Sequence, residues 1–210
     1  MIDISYDEIE DFTRSNQLCA RLVGHKYDLK EVREKIKSIP QPIKKDGRGL
    51  YGAVGLQYKE YKDRFYDSVE SIRFINEDHV SKIETHSFKE WDKWNELGDV
   101  FEELRFVETF HKLYRTRFLV AEPGGESVRH IDYDWRFHIP ITSNELCRMH
   151  YDDVDIHLPA DGHAYLINAG FVHSYSNWGT KDRWHFCGIL DLENVGDGRI
   201  KEVFPDHGSN

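Results

Sequence analysis

The second half of the sequence changes rhythm near Tyr114, and this change constrains the fold more than any other feature. Eight short segments with strand-like alternation follow, each bounded by turn residues. They lie around residues 117–121, 130, 136–141, 147–151, 155–158, 163–168, 172–176 and 184–190. Many short strands with evenly spaced turns indicate a small sandwich or barrel. We therefore predict an all-β core over residues 113–192, a double-stranded β-helix of the cupin-like jelly-roll type.

The first 112 residues follow helical spacing more often than alternation. Leu29–Ile39 places apolar residues at helical intervals, and Asp99–Lys112 carries an apolar stripe with an aspartate as candidate N-cap. A glycine-rich stretch leads into a short strand at Ala53–Leu56. We predict a single domain over residues 1–210, in which a mainly helical N-terminal segment (1–112) buttresses one sheet. Residues 193–210 are expected to form a C-terminal tail.

The composition limits which classes of partner the chain is expected to bind. The formal net charge of −10 makes nucleic acid an unlikely partner and argues against an anionic membrane, although it leaves room for a small basic pocket. The N-terminus has no signal-like segment and the chain has no run of 18 apolar residues, so no membrane association is expected. Cys19, Cys147 and Cys187 are widely spaced, which favours reduced thiols in a cytoplasmic protein over a disulfide framework. The sequence does not predict the oligomeric state.

A metal-ligand pattern lies within the predicted barrel. His130 and Asp132 form an H-x-D pair, and His173 follows Asp132 by 41 residues (173 − 132). Two imidazoles and one carboxylate make the facial triad of non-haem iron oxygenases, which leaves coordination positions open. A second pair, His150 and Asp152, lies only 23 residues (173 − 150) before His173. The jelly roll needs the pair on its second strand and the last histidine on its seventh, so we predict His130, Asp132 and His173 as the ligands.

Cationic side chains are predicted to share the barrel with this site. Arg183 lies ten residues after His173 (183 − 173), and its planar guanidinium suits a carboxylate. Alternation places Arg136 and His138 on one face of their strand, opposite the apolar residues next to them. Such a face inside a small barrel would be costly unless it met an anion or a metal-site ligand. The alternative is that this face lies in solvent.

Four elements occur in a fixed order along the chain: a Pro-Gly turn, H-x-D, R-x-H-x-P and H-x(9)-R. They lie in FLVAEPGGESVRHID (118–132), RFHIPITSN (136–144) and HAYLINAGFVHSYSNWGTKDRWHFCGIL (163–190). In this order, over about Leu113 to Asp191, the chain resembles the 2-oxoglutarate- and iron(II)-dependent oxygenases of the aspartyl/asparaginyl β-hydroxylase group. The bacterial proline hydroxylases of that group are the closer resemblance.

The resemblance implies a role for each matching residue. His130, Asp132 and His173 would bind Fe(II), with O2 as the oxidant. Arg183 would hold the distal carboxylate of 2-oxoglutarate, and Arg136 and His138 would assist on the co-substrate or substrate side. The animal β-hydroxylases lack the carboxylate ligand, whereas this chain has it, as the proline hydroxylases do. A serine that some members use for 2-oxoglutarate would fall near Leu119, so that contact is absent or replaced.

The substrate implied by the resemblance is an amino acid, either free (proline-like) or within a peptide or protein. Arg117 and Arg148 are candidate substrate-binding residues, because cationic groups near the barrel mouth could hold a substrate carboxylate. Two other classes of function stay open. A non-redox metal cupin, an isomerase or hydrolase, would not need Arg183 and would not consume oxygen. A non-catalytic ligand-binding jelly roll would hold no metal.

Overall fold

Strands dominate the part of the chain that the computed structural model describes, which comprises residues 1–39, 51–61, 64–67, 89–90, 93–110, 113–132 and 134–190. The strands are β1 (Ile2–Ser5), β2 (Cys19–Val23), β3 (Tyr51–Gly55), β4 (Gln57–Tyr61), β5 (Arg64–Asp67), β6 (Lys89–Glu90), β7 (Leu113–Ala121), β8 (Gly125–Glu126), β9 (Trp135–Thr142), β10 (Cys147–His150), β11 (Asp155–Ile156), β12 (Ala164–Asn168), β13 (Ser174–Asn177) and β14 (Arg183–Leu190). The helices are α1 (Ile9–Thr13), α2 (Lys30–Lys35), α3 (Lys93–Leu97) and α4 (Glu102–Phe110).

Two sheets form the predicted jelly roll. The large sheet has the order β1-β2-β12-β9-β14-β7-β3, and the small sheet has the order β11-β10-β13-β8. Every pairing in both sheets is antiparallel except the one between β1 and β2. The fold class is therefore confirmed. Seven of the eight predicted segments contain a strand, and the segment around His130 forms a single bridge to His173, next to β8.

Strand alternation divides the large sheet into two buried faces. One face packs against the helices in an apolar layer, here called the outer core, which includes Phe118, Phe137, Phe186, Leu166 and Leu104 of α4. Burying one such side chain contributes about 1.5–3 kcal/mol. The opposite face looks towards the small sheet across the barrel interior, where residues such as Met149 and Tyr175 form a second apolar cluster.

In its described residues, the N-terminal segment contains strands as well as helices. Its strands β1, β2 and β3 extend the large sheet at both edges, and β4, β5 and β6 form a third sheet. α2 and the 3-10 turn after it occupy the predicted helix at 29–39. Asp99 is not an N-cap, because Gly98 precedes a 3-10 turn that begins at Asp99 and leads into α4. The end of that predicted helix, at 111–112, and the tail at 193–210 lie outside the described residues.

In the part of the chain that is described, no helix is long and apolar enough to cross a membrane. All three cysteines belong to that part, and each is buried and free of any disulfide.

Candidate metal centre and anion pocket

Two histidines from distant parts of the chain lie side by side at one end of the small sheet. His130 and His173 form an antiparallel bridge in which the backbone N–H of each donates to the carbonyl of the other at 2.9 Å. Their ring centroids are 4.4 Å apart. The bridge continues the pairing of β8 with β13. Sheet formation therefore brings together two imidazoles that are 43 residues apart in sequence (173 − 130).

A hydrogen bond fixes the orientation of each ring. Nδ1 of His130 bonds to the carbonyl of Val128, and Nδ1 of His173 bonds to the carbonyl of Phe171, both at 2.8 Å. A carbonyl oxygen can only accept, so Nδ1 carries the proton and Nε2 keeps its lone pair. Metal-binding histidines in proteins are commonly held in this way.

Asp132 adds a carboxylate to the pair. Its backbone N–H donates to the carbonyl of Ala169 at 2.9 Å, which ties it to the turn before His173. Its Oδ2 atom is 3.7 Å from Nε2 of His130. The donor atoms of His130, Asp132 and His173 all lie within 4.8 Å of one another. Two imidazoles and one carboxylate fit a divalent ion such as Fe(II) and leave room for further ligands.

Arg136 forms an ion pair with this carboxylate. Its guanidinium lies 3.0 Å from Oδ2 of Asp132 and 2.5 Å from Oδ1 of Asp134. Burial raises the pKa of Asp132, but the charge of Arg136 and the neighbouring His130 outweigh burial and hold it well below its ordinary value. The carboxylate is therefore ionised at neutral pH, which is the form that binds a metal.

The two imidazoles differ in their electrostatic surroundings. The pKa of His130 is raised, chiefly by the neighbouring carboxylate of Asp132, which favours the protonated ring, while burial acts in the opposite direction. The pKa of His173 is lowered, chiefly by burial. His173 is 5% exposed, whereas the side chains of His130 and Asp132 are 37% and 33% exposed. The site is thus open to solvent on the side of the H-x-D pair.

The rival H-x-D pair lies elsewhere. Both ring nitrogens of His150 are hydrogen-bonded. Nδ1 donates to the carboxylate of Asp155 at 2.7 Å, and Nε2 lies 2.7 Å from the hydroxyl oxygen of Ser176. Asp152 forms an ion pair with Arg129 instead. Among the described residues, the set of His130, Asp132 and His173 is the one group that could hold a metal.

A cluster of buried polar side chains lies along β14 and β9, on the face that looks into the barrel. Arg183 is buried, and its Cζ atom sits 5.1 Å from the ring centroid of Tyr175 in the small sheet. One guanidinium nitrogen lies 3.0 Å from Nδ1 of His185. Nδ1 of His138 lies 3.3 Å from the same atom. These three side chains, together named the anion pocket here, belong to residues that are each 5% exposed or less.

The two histidines of the anion pocket are uncharged at neutral pH. Burial lowers the pKa of His138 and of His185 well below the ordinary value of 6.5, and the charge of Arg183 lowers both further. The pocket therefore combines one permanent positive charge with two neutral imidazoles. A buried guanidinium of this kind is suited to a carboxylate.

The free energy of unfolding is expected to fall as the pH falls below 6.5, because of these two histidines. Below that ordinary pKa the unfolded chain binds protons that the folded chain excludes. Each histidine should contribute a slope of at most about 1.4 kcal/mol per pH unit, the limit for one proton. Urea unfolding of His185→Gln and of the original chain between about pH 7 and pH 5 tests this. The variant should have the smaller slope, and equal slopes would contradict the assignment.

Two more arginines lie near the metal donors. Arg117 is half-buried on β7, opposite Cys187 of β14. Arg115 has a φ of 51°, in the left-handed region, where the pairing of β7 with β14 is irregular. Burial, together with the charges of Arg117 and Arg136, lowers the pKa of Arg115 to about 9. The three guanidinium groups therefore form a positively charged region beside Asp132.

The structure does not bring every predicted residue to the site. Arg148 alternates with the inward-facing Cys147 and Met149 and so lies on the outer face of the small sheet, away from the metal donors. Two contributors were missed by sequence reasoning, Asp134 and His185. His185 lies two residues after Arg183 on β14 and so on the same face of that strand, which is the signal that could have identified it.

No family model matches the chain, and no curated protein matches its sequence. Among solved structures it is similar to an oxidoreductase of the 2OG-Fe(II) oxygenase family from Burkholderia pseudomallei, with 11% identity and a TM-score of 0.49 over 89% of this chain and 93% of that one. A prolyl-4-hydroxylase from Pseudomonas putida has 13% identity and a TM-score of 0.43 over 87% and 96%. A cupin domain from Bordetella pertussis has 19% identity and a TM-score of 0.32 over 36% and 80%. At such low identities and TM-scores these likenesses carry no argument about activity.

Proposed function

We propose that the chain is an Fe(II)- and 2-oxoglutarate-dependent dioxygenase that hydroxylates an amino acid, either free or within a peptide or protein. One observation carries the proposal. Two Nε2 lone pairs and the carboxylate of Asp132 converge in a barrel that also buries an arginine with two neutral histidines. A metal site alone would fit many enzymes, but a buried arginine suited to a carboxylate in the same barrel favours a chelating dicarboxylate co-substrate.

The bound groups would supply the oxidation, in which O2 and 2-oxoglutarate give succinate and CO2 while one oxygen atom enters a substrate C–H bond. The residues of the chain supply binding and orientation. His130, Asp132 and His173 would hold the metal, and Arg136 keeps the carboxylate ionised and in place. Arg183 would bind the distal carboxylate of the co-substrate at a position shielded from water. His138, in contact with His185, would line the same pocket.

An amino acid is the substrate class favoured by the charges around the site. Arg117 and Arg115 lie on β7, and both interact electrostatically with Asp132. A free amino acid carries an α-carboxylate that such a group can bind, whereas the α-carboxyl group of a residue within a protein is part of a peptide bond. Arg148 is left out of this proposal, because it lies on the outer face.

The test is a turnover screen with the iron-loaded protein. The protein is incubated with 2-oxoglutarate, O2 and either free amino acids or short peptides, and succinate and the mass of each candidate are measured. A single added oxygen atom on an amino acid or peptide, with matching succinate, is expected. Metal binding without oxygen consumption would favour the non-redox cupin, and absence of metal binding would favour the ligand-binding jelly roll. Oxygen added only to nucleic acid or lipid would overturn the substrate class alone.

A further inference from the structure

Strand β7 contains a residue in a strained backbone conformation, Arg115. Its φ of 51° lies in the left-handed region, and it is the one non-glycine residue with a positive φ in the described part of the chain. The register of β7 with β14 shifts at this point, so Arg115 and Thr116 together lie opposite Gly188. Two residues opposite one form a β-bulge. A Cβ atom on Gly188 would lie 2.9 Å from Cγ2 of Thr116, so the glycine leaves the space that the bulge needs.

An arginine is an unfavourable residue at this position of a bulge. Glycine adopts a left-handed conformation without strain, whereas a residue with a side chain destabilises the folded state there. The arginine side chain is also costly in itself, because burial lowers its pKa to about 9, although it stays charged at neutral pH. Strain of this kind is typical of positions where the side chain has a function. We therefore looked for the function in the surroundings of the guanidinium.

The guanidinium of Arg115 lies beside the metal donors. The carboxylates of Asp134 and Asp132 both favour its charged form, which places it within their electrostatic reach. After the bulge, Arg117 alternates with Phe118 of the outer core and so faces the barrel interior. Arg115 and Arg117 are both half-buried, unlike the fully buried Phe118. A ligand in the open part of the barrel can therefore reach both arginines.

Positive charge exceeds negative charge in this region. Among the described side chains, three guanidinium groups, those of Arg115, Arg117 and Arg136, interact with the two carboxylates of Asp132 and Asp134. Arg136 forms ion pairs with both of these carboxylates. A divalent metal would add two positive charges, which a dicarboxylate co-substrate would offset. The excess that remains favours a further anionic group, and a carboxylate matches the donors of a guanidinium.

We propose that Arg115 binds the α-carboxylate of a free amino-acid substrate and that the bulge holds its guanidinium in place for this contact. This inference rests on the proposed function. It narrows the substrate to the free amino acid and assigns the contact to Arg115 rather than to Arg117. The position of Arg117 follows from ordinary strand alternation, whereas that of Arg115 requires a conformation that only its side chain can explain.

Three substitutions at this position separate the side chain from the backbone. Arg115→Gly removes the guanidinium and suits the left-handed conformation, and Arg115→Asn is a second neutral variant that tolerates it. Arg115→Lys keeps the charge but loses the planar fork. Arg21→Ala is the matched control, since Arg21 lies on β2 of the same sheet and pairs with Asp3 at the surface. Circular dichroism and iron content verify that each variant is folded and loaded.

The experiment measures succinate formation by the iron-loaded protein with the common L-amino acids, each offered as the free acid and as its α-carboxamide. The original chain should prefer its best free acid to the matching amide by about 10- to 150-fold in kcat/KM, the cost of one hydrogen bond to a charged group. Arg115→Gly and Arg115→Asn should lose this preference through a lower kcat/KM for the acid alone. Arg115→Lys should keep part of it, and Arg21→Ala should keep all of it.

Other results would contradict the inference in different ways. If Arg115→Gly keeps the preference for the acid, another group binds the carboxylate. Equal losses for acid and amide would give Arg115 a structural role only. Turnover of amides or peptides without turnover of free acids would show that no α-carboxylate is bound. If neither amino acids nor peptides yield succinate, the proposed function itself fails, so the two failures are distinguishable.

Discussion

Replacing His173 with alanine is expected to weaken Fe(II) binding by more than about 100-fold, because altering the residues around a metal ligand already costs about 10- to 100-fold. His173 is buried and supplies one of three converging donors, and its Nδ1 hydrogen bond reserves Nε2 for the metal. His130→Ala should have the same effect. Equilibrium dialysis without oxygen, followed by metal analysis, measures the loss.

His150→Ala is the matched control for these variants. His150 belongs to the rival H-x-D pair, but both its ring nitrogens are hydrogen-bonded on the outer face of the small sheet. Iron binding should therefore be unaffected by this substitution. Loss of iron in His150→Ala together with retention in His130→Ala would show that the wrong pair has been assigned.

Replacing Arg183 with alanine should weaken 2-oxoglutarate binding about 10- to 150-fold, with Fe(II) affinity unchanged. Arg183 is buried in the anion pocket beside His185, so a carboxylate there would meet a fully desolvated guanidinium. Arg183→Lys keeps the charge but loses the planar fork, and its affinity should lie between those of the alanine variant and the original chain. Calorimetric titration of the iron-loaded protein without oxygen gives both values.

Arg148→Ala provides the control for charge alone. It removes one positive charge from the outer face of the small sheet and should leave 2-oxoglutarate affinity unchanged. If the original chain and Arg183→Ala bind 2-oxoglutarate with equal affinity, Arg183 is not part of the co-substrate site.

The jelly roll could be predicted because its strands carry local signals. In β9 and β14, side chains that enter the barrel alternate with aromatic and aliphatic residues of the outer core. The strands β1 and β2 could not be predicted in the same way. They are four and five residues long, and β2 gains its place in the sheet by pairing with β12, far along the chain. Such long-range pairing outweighs local propensity.

The sequence predicted the ligands of the candidate site but not the side chains that support them. The spacing of His130, Asp132 and His173 matched the strand order of a jelly roll, and the structure places their donors together. Spacing could not predict which side chains support them. The contact between Arg183 and His185 and the position of Arg148 depend on which face of each strand is buried, and this is decided by packing.

We propose that the cluster of His130, Asp132 and His173 activates oxygen with 2-oxoglutarate. An oxygen electrode, combined with succinate analysis, tests it most directly on the iron-loaded protein. We expect oxygen consumption that requires both iron and 2-oxoglutarate and yields one succinate per O2, and it should be lost in His130→Ala and retained in His150→Ala. Oxygen consumption that is the same in His130→Ala, or an iron-loaded protein that consumes no oxygen with 2-oxoglutarate, would contradict the claim.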